Sequence, residues 1–140
     1  MTQFRCYNKT CNFLYTRLSG ALTSNDLLQH VQDINQEYTG IPNLLELSDC
    51  RGLTSVEMLS TSDTIAIARS ETDKPGSKLA IVTPKDQDSI FGLARAYQMS
   101  SEAHRESVNV FRDLDEALNW LTDNDTSKKS ALISYINTLE

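Results

Sequence analysis

The sequence has few of the residues that most directly reveal a specialised site. Its 140 residues include five glycines, three prolines and three cysteines. So few glycines make a phosphate-binding loop implausible, and neither the G-x-x-x-x-G-K-[ST] nor the G-x-G-x-x-G pattern occurs. The cysteines are odd in number and have no C-x-x-C spacing, which predicts neither a disulfide framework nor a zinc site. We therefore expect no cofactor and no bound metal.

Basic charge and long apolar runs are also scarce. Thirteen Lys and Arg residues stand against nineteen Asp and Glu, which gives a formal net charge of −6. This balance argues against nucleic-acid binding, because a phosphate backbone is bound by a basic surface. No apolar run approaches the ~18–20 residues that span a bilayer, and the N-terminus lacks a signal-peptide pattern. We expect a cytoplasmic protein without a membrane span.

We predict four helix starts from a local pattern in which a Ser, Thr or Asp is followed three residues later by an acidic residue. Such a side chain caps free backbone N–H groups, and the acidic residue suits the positive end of the helix dipole. Apolar residues at helical spacing follow each position, so we predict a helix at each. The four pairs are Thr23 with Asp26, Thr54 with Glu57, Thr83 with Asp86, and Asp113 with Glu116.

Short apolar runs between these helices predict strands. Three of them cover residues 44–47, 79–82 and 108–111, and residues 4–7 and 13–18 read as an N-terminal hairpin of unknown register. The predicted order is β-β-α-β-α-β-α-β-α, an α/β fold with a mixed sheet packed by helices.

The final segment is predicted to form one more helix. We divide the chain into a domain at residues 1–121 and a linker with a C-terminal amphipathic helix at residues 122–140. Apolar residues between positions 132 and 139 recur at helical spacing. This helix would either dock on its own domain or contact another subunit, so a homodimer stays open.

Three stretches resemble a known bacterial family. They are LLELSDCRGL at 44–53, FGLARAYQ at 91–98 and VFRDLDEALNWL at 110–121. Together they resemble the small STAS/SpoIIAA-like proteins, a family largely of unknown function, over about residues 3 to 121. The resemblance implies the anti-sigma-factor-antagonist fold, with a functional edge at the start of the second helix.

The same resemblance bears on phosphorylation. In phosphorylated STAS proteins an Asp-Ser-Ser-Gly-like motif follows the third strand and supplies the acceptor serine. The aligned residues here are Thr54, Ser55, Val56 and Glu57, so the motif is broken. Thr54 or Ser55 remains a candidate acceptor, since a predicted helix N-terminus would favour the added negative charge.

Polar residues gather where the predicted strands end. Ligands of such sheets favour the crevice at the carboxyl ends of the strands, where helix N-termini point. A small anionic or lipid ligand could bind there, or the threonines could serve only as caps and the charges be solvated. The candidate residues are Ser48, Asp49, Cys50, Arg51, Thr54, Ser55, Thr83, Lys85 and Asp86, with Arg95 and Tyr97 on the third helix.

Catalytic patterns are scarce. His30 and His104 lie in polar stretches without a metal-binding or catalytic motif, and we interpret both as surface residues. Cys50 is the one candidate nucleophile. We therefore expect that the chain is not an enzyme.

Two functions remain. The first is a non-catalytic regulatory module that docks a protein partner through the second-helix edge or through a hairpin face carrying Phe4, Phe13 and Tyr15. The alternative is a small-molecule or lipid carrier, which the resemblance of the fold to Sec14-type lipid-binding domains suggests. A carrier needs a cavity of roughly a few hundred Å³ beneath the second helix, whereas a docking module should be tightly packed there.

Overall fold

A five-stranded sheet with helices on both faces forms the protein. The structure, a computed structural model, describes residues 1–139, so the last residue of the predicted 122–140 segment lies outside it. The strands are β1 (Thr2–Asn8), β2 (Phe13–Ala21), β3 (Leu45–Ser55), β4 (Lys74–Val82) and β5 (Arg105–Phe111). The helices are α1 (Ser24–Tyr38), α2 (Thr61–Arg69), α3 (Asp88–Ser101), α4 (Leu114–Leu121) and α5 (Thr126–Thr138), and a 3-10 turn at Glu102–His104 precedes β5. The predicted order of elements and the α/β class are confirmed.

The sheet follows the order of the chain. Its strands are arranged β1-β2-β3-β4-β5, with β1 antiparallel to β2 and every later pair parallel. Each parallel pair is joined by one of the helices α1 to α3, because parallel neighbours need a crossover connection. In the hairpin Phe4 pairs with Arg17 and Asn8 with Phe13, which sets the register that the sequence left open.

Separate apolar cores lie on the two faces of the sheet. Helices α1, α2 and α3 cover one face, and α4 and α5 cover the other. Leu132 and Ile136 of α5 are buried in the second core with Phe13 and Tyr15 of β2. The hydroxyl of Tyr135 also donates to Cys6 Sγ of β1 at 2.7 Å. Helix α5 therefore docks on its own sheet.

Two of the predicted helix starts are confirmed. Thr23 caps α1, since its Oγ1 accepts from the backbone N of Asp26 at 3.1 Å and the Asp26 carboxylate accepts from Thr23 N at 3.2 Å. Asp113 caps α4 by accepting from the backbone N of Asp115 at 3.1 Å.

The predicted helix start at Thr54 is wrong, because β3 continues through Ser55. The backbone N of Leu22 donates to the carbonyl of Ser55 at 2.9 Å, which prolongs the pairing of β3 with β2. Helix α2 begins only after Ser60, whose hydroxyl accepts from the backbone N of Asp63 at 3.0 Å.

The predicted start at Thr83 is wrong for a similar reason. Its backbone N donates to the carbonyl of Phe111 at 2.9 Å, so the residue extends the contact between β4 and β5 and is buried there. Helix α3 begins at Asp88, after Gln87, whose side chain makes no capping hydrogen bond.

Candidate functional site

A cavity of about 80 Å³ lies between the sheet and helices α1 to α3. All of the helices on this face contribute to its wall, and side chains of β2, β3 and β4 form its floor. The lining is mainly apolar, with a small number of polar groups. Its apolar residues include Leu18, Leu22, Leu27, Val31, Ile34, Leu53, Val56, Leu59, Leu79, Ile81, Ile90, Leu93 and Ala94.

A buried ionic network closes one end of this cavity. Arg105, at the start of β5, donates to Glu46 Oε1 at 2.8 Å and to Glu71 Oε1 and Oε2 at 2.9 and 3.2 Å. The Tyr97 hydroxyl of α3 donates to Glu71 as well. The side chains of this arginine and both glutamates are at most 3% exposed. This end of the cavity is polar, because its lining includes Glu46, Glu71 and Tyr97. Both carboxylates already accept hydrogen bonds from Arg105.

A fully buried lysine lies beside this network. Lys74, the first residue of β4, donates to the Thr72 carbonyl at 3.3 Å and approaches Asn35 Oδ1 at 3.5 Å. Burial lowers the pKa of Lys74, and the nearby Arg105 lowers it further. Lys74 therefore adds a second basic group to this buried cluster, beside Arg105.

His30 of α1 also lines the cavity and is only 4% exposed. Its Nδ1 lies 3.2 Å from the amide nitrogen of Gln3 on β1. Burial, followed by the positive charge of Arg5, lowers the pKa of His30 to about 4. The imidazole is therefore neutral at physiological pH. The prediction that His30 is a surface residue is wrong. Its spacing from Leu27 and Ile34 already indicated burial, because that spacing places it on the apolar side of α1.

Four of the predicted candidate residues line this cavity: Ser48, Cys50, Thr83 and Tyr97. Successive side chains of a strand point to opposite faces, so Ser48 and Cys50 of β3 share the face beneath α1 to α3. Burial, together with the negative charge of Asp49, raises the pKa of the Cys50 thiol to about 12. At neutral pH the group is a thiol and not a nucleophilic thiolate.

Asp49 and Arg51 lie on the other face of the sheet. Arg51 donates to both carboxylate oxygens of Asp49, from Nε at 2.9 Å and from Nη2 at 2.8 Å, and the Tyr15 hydroxyl adds a bond at 2.9 Å. Burial alone would raise the pKa of Asp49, but the hydrogen bonds and charge of Arg51 lower it overall. The structure therefore separates this pair from Ser48 by the thickness of the sheet.

The remaining predicted residues lie apart from both groups. Thr54 is exposed near the end of β3, and the Ser55 hydroxyl accepts from the backbone N of Glu57 at 3.2 Å. Neither is at a helix N-terminus, so the electrostatic argument for a phosphate there no longer applies. Lys85 is exposed in the turn after β4, as is the neighbouring Asp86, and Arg95 is exposed on α3 outside the cavity.

The predicted hairpin face is mostly covered. Phe13 and Tyr15 are fully buried beneath α4 and α5, and the ring of Phe13 meets that of Tyr135 edge-on at 6.2 Å. Phe4 keeps some exposure and lies under the guanidinium of Arg17 at 5.5 Å. Of the three aromatic residues predicted for this face, Phe4 alone remains exposed, at 39%.

Sequence reasoning missed the ionic network because its members are distant in the chain. Glu46 lies inside a predicted strand, where a charged residue between leucines is itself a signal of a buried polar role. Glu71 lies in the loop between α2 and β4, Arg105 is the first residue of β5, and neither carries a local pattern. Their meeting depends on the pairing of β3, β4 and β5.

Neither a metal site nor a membrane span is evident in the part of the chain that the structure describes. Within residues 1–139, no three His, Cys, Asp or Glu side chains come together in a way that could hold a metal ion. No helix there is long and apolar enough to cross a bilayer.

Comparison with known proteins informs the fold. No protein-family model matches the chain, and neither does any curated protein. A solved structure that resembles it is that of an uncharacterised DUF3478-family protein from Shewanella loihica PV-4, described as having a SpoIIAA-like fold. The two share 17% identity with a TM-score of 0.50, over 85% of this chain and 93% of the other. At this identity the similarity concerns the architecture alone, and the protein has a SpoIIAA-like fold, as the sequence resemblance implied.

Proposed function

We propose that the protein is a non-catalytic binding module that takes a small, largely apolar ligand into the cavity beneath α1 to α3. The observation that carries this proposal is the cavity itself, which is lined by apolar side chains and has polar groups at one end. Such a combination is typical of small-molecule sites, where apolar walls supply affinity and a few polar groups orient the ligand.

The size of the cavity limits the ligand. A volume of about 80 Å³ is well below the roughly 300–1,000 Å³ of sites that hold drug-sized molecules. At roughly 10–15 Å³ for each water-sized sphere, it accommodates about five to eight non-hydrogen atoms. A whole lipid is therefore a poor candidate, and a small metabolite is a better one.

A non-catalytic role is supported by the state of the reactive groups. The Cys50 thiol has a pKa of about 12, and the His30 imidazole has a pKa of about 4. A nucleophile should be ionised, and a general base should have a pKa near the working pH. Neither group meets its requirement.

A fragment screen monitored by two-dimensional NMR tests the proposal. Neutral organic fragments of about five to eight non-hydrogen atoms should shift the signals of cavity residues such as Leu79 and Ile81. Ala94→Leu, which fills the cavity, should abolish these shifts, and Ala66→Leu, on an exposed position of α2, should not. A screen without cavity binders, or binding that persists in Ala94→Leu, would contradict the proposal.

Docking of a protein partner at the second-helix edge is a second candidate. Met58, just before α2, is 74% exposed, and a shallow groove between α1 and α2 contains Leu28 and Ala66. A photo-reactive residue at position 58 should then cross-link a discrete protein in cells. Met99 of α3 is 72% exposed and supplies the matched control position. Equal labelling from positions 58 and 99, or none from either, would contradict docking at this edge.

A further inference from the structure

Two polar side chains of the cavity have hydrogen-bonding capacity that the described residues 1–139 do not use. The His30 ring is engaged at Nδ1 alone, by Gln3. The Ser48 hydroxyl makes no hydrogen bond within the described chain, although the residue is only 8% exposed. Neither His30 Nε2 nor Ser48 Oγ is among the fully enclosed atoms that lack a hydrogen bond, so a molecule in the cavity can reach both. Polar groups of buried residues in native proteins nearly always have a partner. Two such groups in one cavity point to a partner from outside the chain.

The tautomer of His30 shows what that partner must offer. The Gln3 amide nitrogen can only donate, so Nδ1 of His30 accepts. The neutral ring must then carry its single proton on Nε2. Gln3 lies outside the cavity lining, so the Nε2 side of the ring is the one left to face the cavity. His30 therefore presents a hydrogen-bond donor, which requires an acceptor atom.

The surroundings favour a neutral acceptor. A charged ligand would lose its hydration among the apolar side chains, and this loss is recovered only by a close counter-charge. The carboxylates of Glu46 and Glu71 are already engaged by Arg105. No unengaged charge among the described lining residues is therefore left to stabilise an ionic ligand.

We propose that the ligand is a small neutral carbonyl compound, such as a ketone, ester or amide, whose oxygen accepts a hydrogen bond from His30 Nε2. The Ser48 hydroxyl is a second polar contact on the sheet side of the cavity. This inference rests on the ligand-binding function proposed above and adds the chemical class of the ligand and the residue that selects it.

Two isosteric probes test the proposal, butanone and 2-methyl-1-butene, which differ only in a carbonyl oxygen against a methylene group. Each is titrated into the wild type and His30→Leu, and its dissociation constant is measured by NMR. Butanone should bind about five- to tenfold more weakly to His30→Leu, in line with the loss of one hydrogen bond. The alkene should bind both proteins equally. His30→Gln keeps an N–H donor and should restore part of the butanone affinity.

The imidazole nitrogens supply an independent measurement on the unaltered protein, in case His30→Leu does not fold. Their ¹⁵N spectrum should show the Nε2–H tautomer, and butanone but not the alkene should shift the Nε2 signal.

The outcomes separate the two proposals. If both probes bind the cavity and neither discriminates between wild type and His30→Leu, the cavity binds apolar ligands but carbonyl recognition by His30 is wrong. A ¹⁵N spectrum that shows the Nδ1–H tautomer of His30 would also overturn carbonyl recognition by His30. If neither probe perturbs cavity residues at saturating concentration, the ligand-binding function fails together with this inference.

Discussion

The buried imidazole of His30 should make the stability of the protein depend on pH. Its pKa is about 4 in the folded state and 6.5 in the unfolded chain. The unfolded state therefore binds more protons between these values, and stability that is present above pH 6.5 is lost as the pH falls towards 4. Burial is the main cause, followed by Arg5 and Arg105, which lower the pKa, and by Asp33 and Glu71, which oppose them.

The magnitude follows from the two pKa values. One pKa unit corresponds to about 1.4 kcal/mol, so the contribution of His30 between about pH 7.5 and pH 5 is a loss of about 2 kcal/mol. Complete protonation below pH 4 would raise the loss to about 3 kcal/mol.

Urea unfolding at a series of pH values measures this loss. Between about pH 7.5 and pH 5, the free energy of unfolding of the wild type should fall by about 2 kcal/mol more than that of His30→Gln, because glutamine does not titrate. Identical pH dependence of wild type and His30→Gln would refute the buried, neutral assignment of His30.

Five further substitutions test the ionic network, the helix starts and the docking of α5 by denaturant unfolding. Arg105→Met leaves two carboxylates buried without their partner and should cost about 3–5 kcal/mol of stability. A loss below about 1 kcal/mol would show that Arg105 does not hold Glu46 and Glu71 as a buried ion pair. Thr23→Ala should cost about 1 kcal/mol because it removes the cap of α1. Thr54→Ala, which removes no cap, should change stability by less than about 0.5 kcal/mol. Equal losses for the two variants would contradict the helix starts described above. Leu132→Ala should cost about 2–5 kcal/mol and Ile133→Ala much less, and the reverse order would mean that α5 docks through another face.

The pattern of helix caps predicted the four helices α1 to α4 but not all of their starting points. Thr54 with Glu57 and Ser60 with Asp63 are the same kind of local pattern, six residues apart. Only the second begins a helix, because pairing with β2 keeps the chain extended as far as Ser55. Strand pairing is a long-range interaction, so a local pattern could not choose between the two sites.

The candidate site was only partly predictable from the sequence. The face on which each side chain lies was predictable, but contacts between distant elements were not. The alternation of side chains along β3 separates Ser48 from Asp49, and period two in the sequence already implies this separation. The burial of His30 was likewise visible in its helical spacing. The cavity itself was not predictable, because it depends on how closely three helices approach the sheet. The same holds for the contact of Arg105 with Glu46, which lies 59 residues away in the chain.

The position of α5 has a consequence for synthesis on the ribosome. Its residues cover Phe13 and Tyr15, and Tyr135 bonds to Cys6, 129 residues earlier. Until residues 126–138 emerge from the exit tunnel, the nascent chain must leave this aromatic face of its hairpin open to water. Contacts over such sequence distances form slowly. The incomplete chain therefore exposes apolar surface of the kind that makes folding intermediates prone to aggregate.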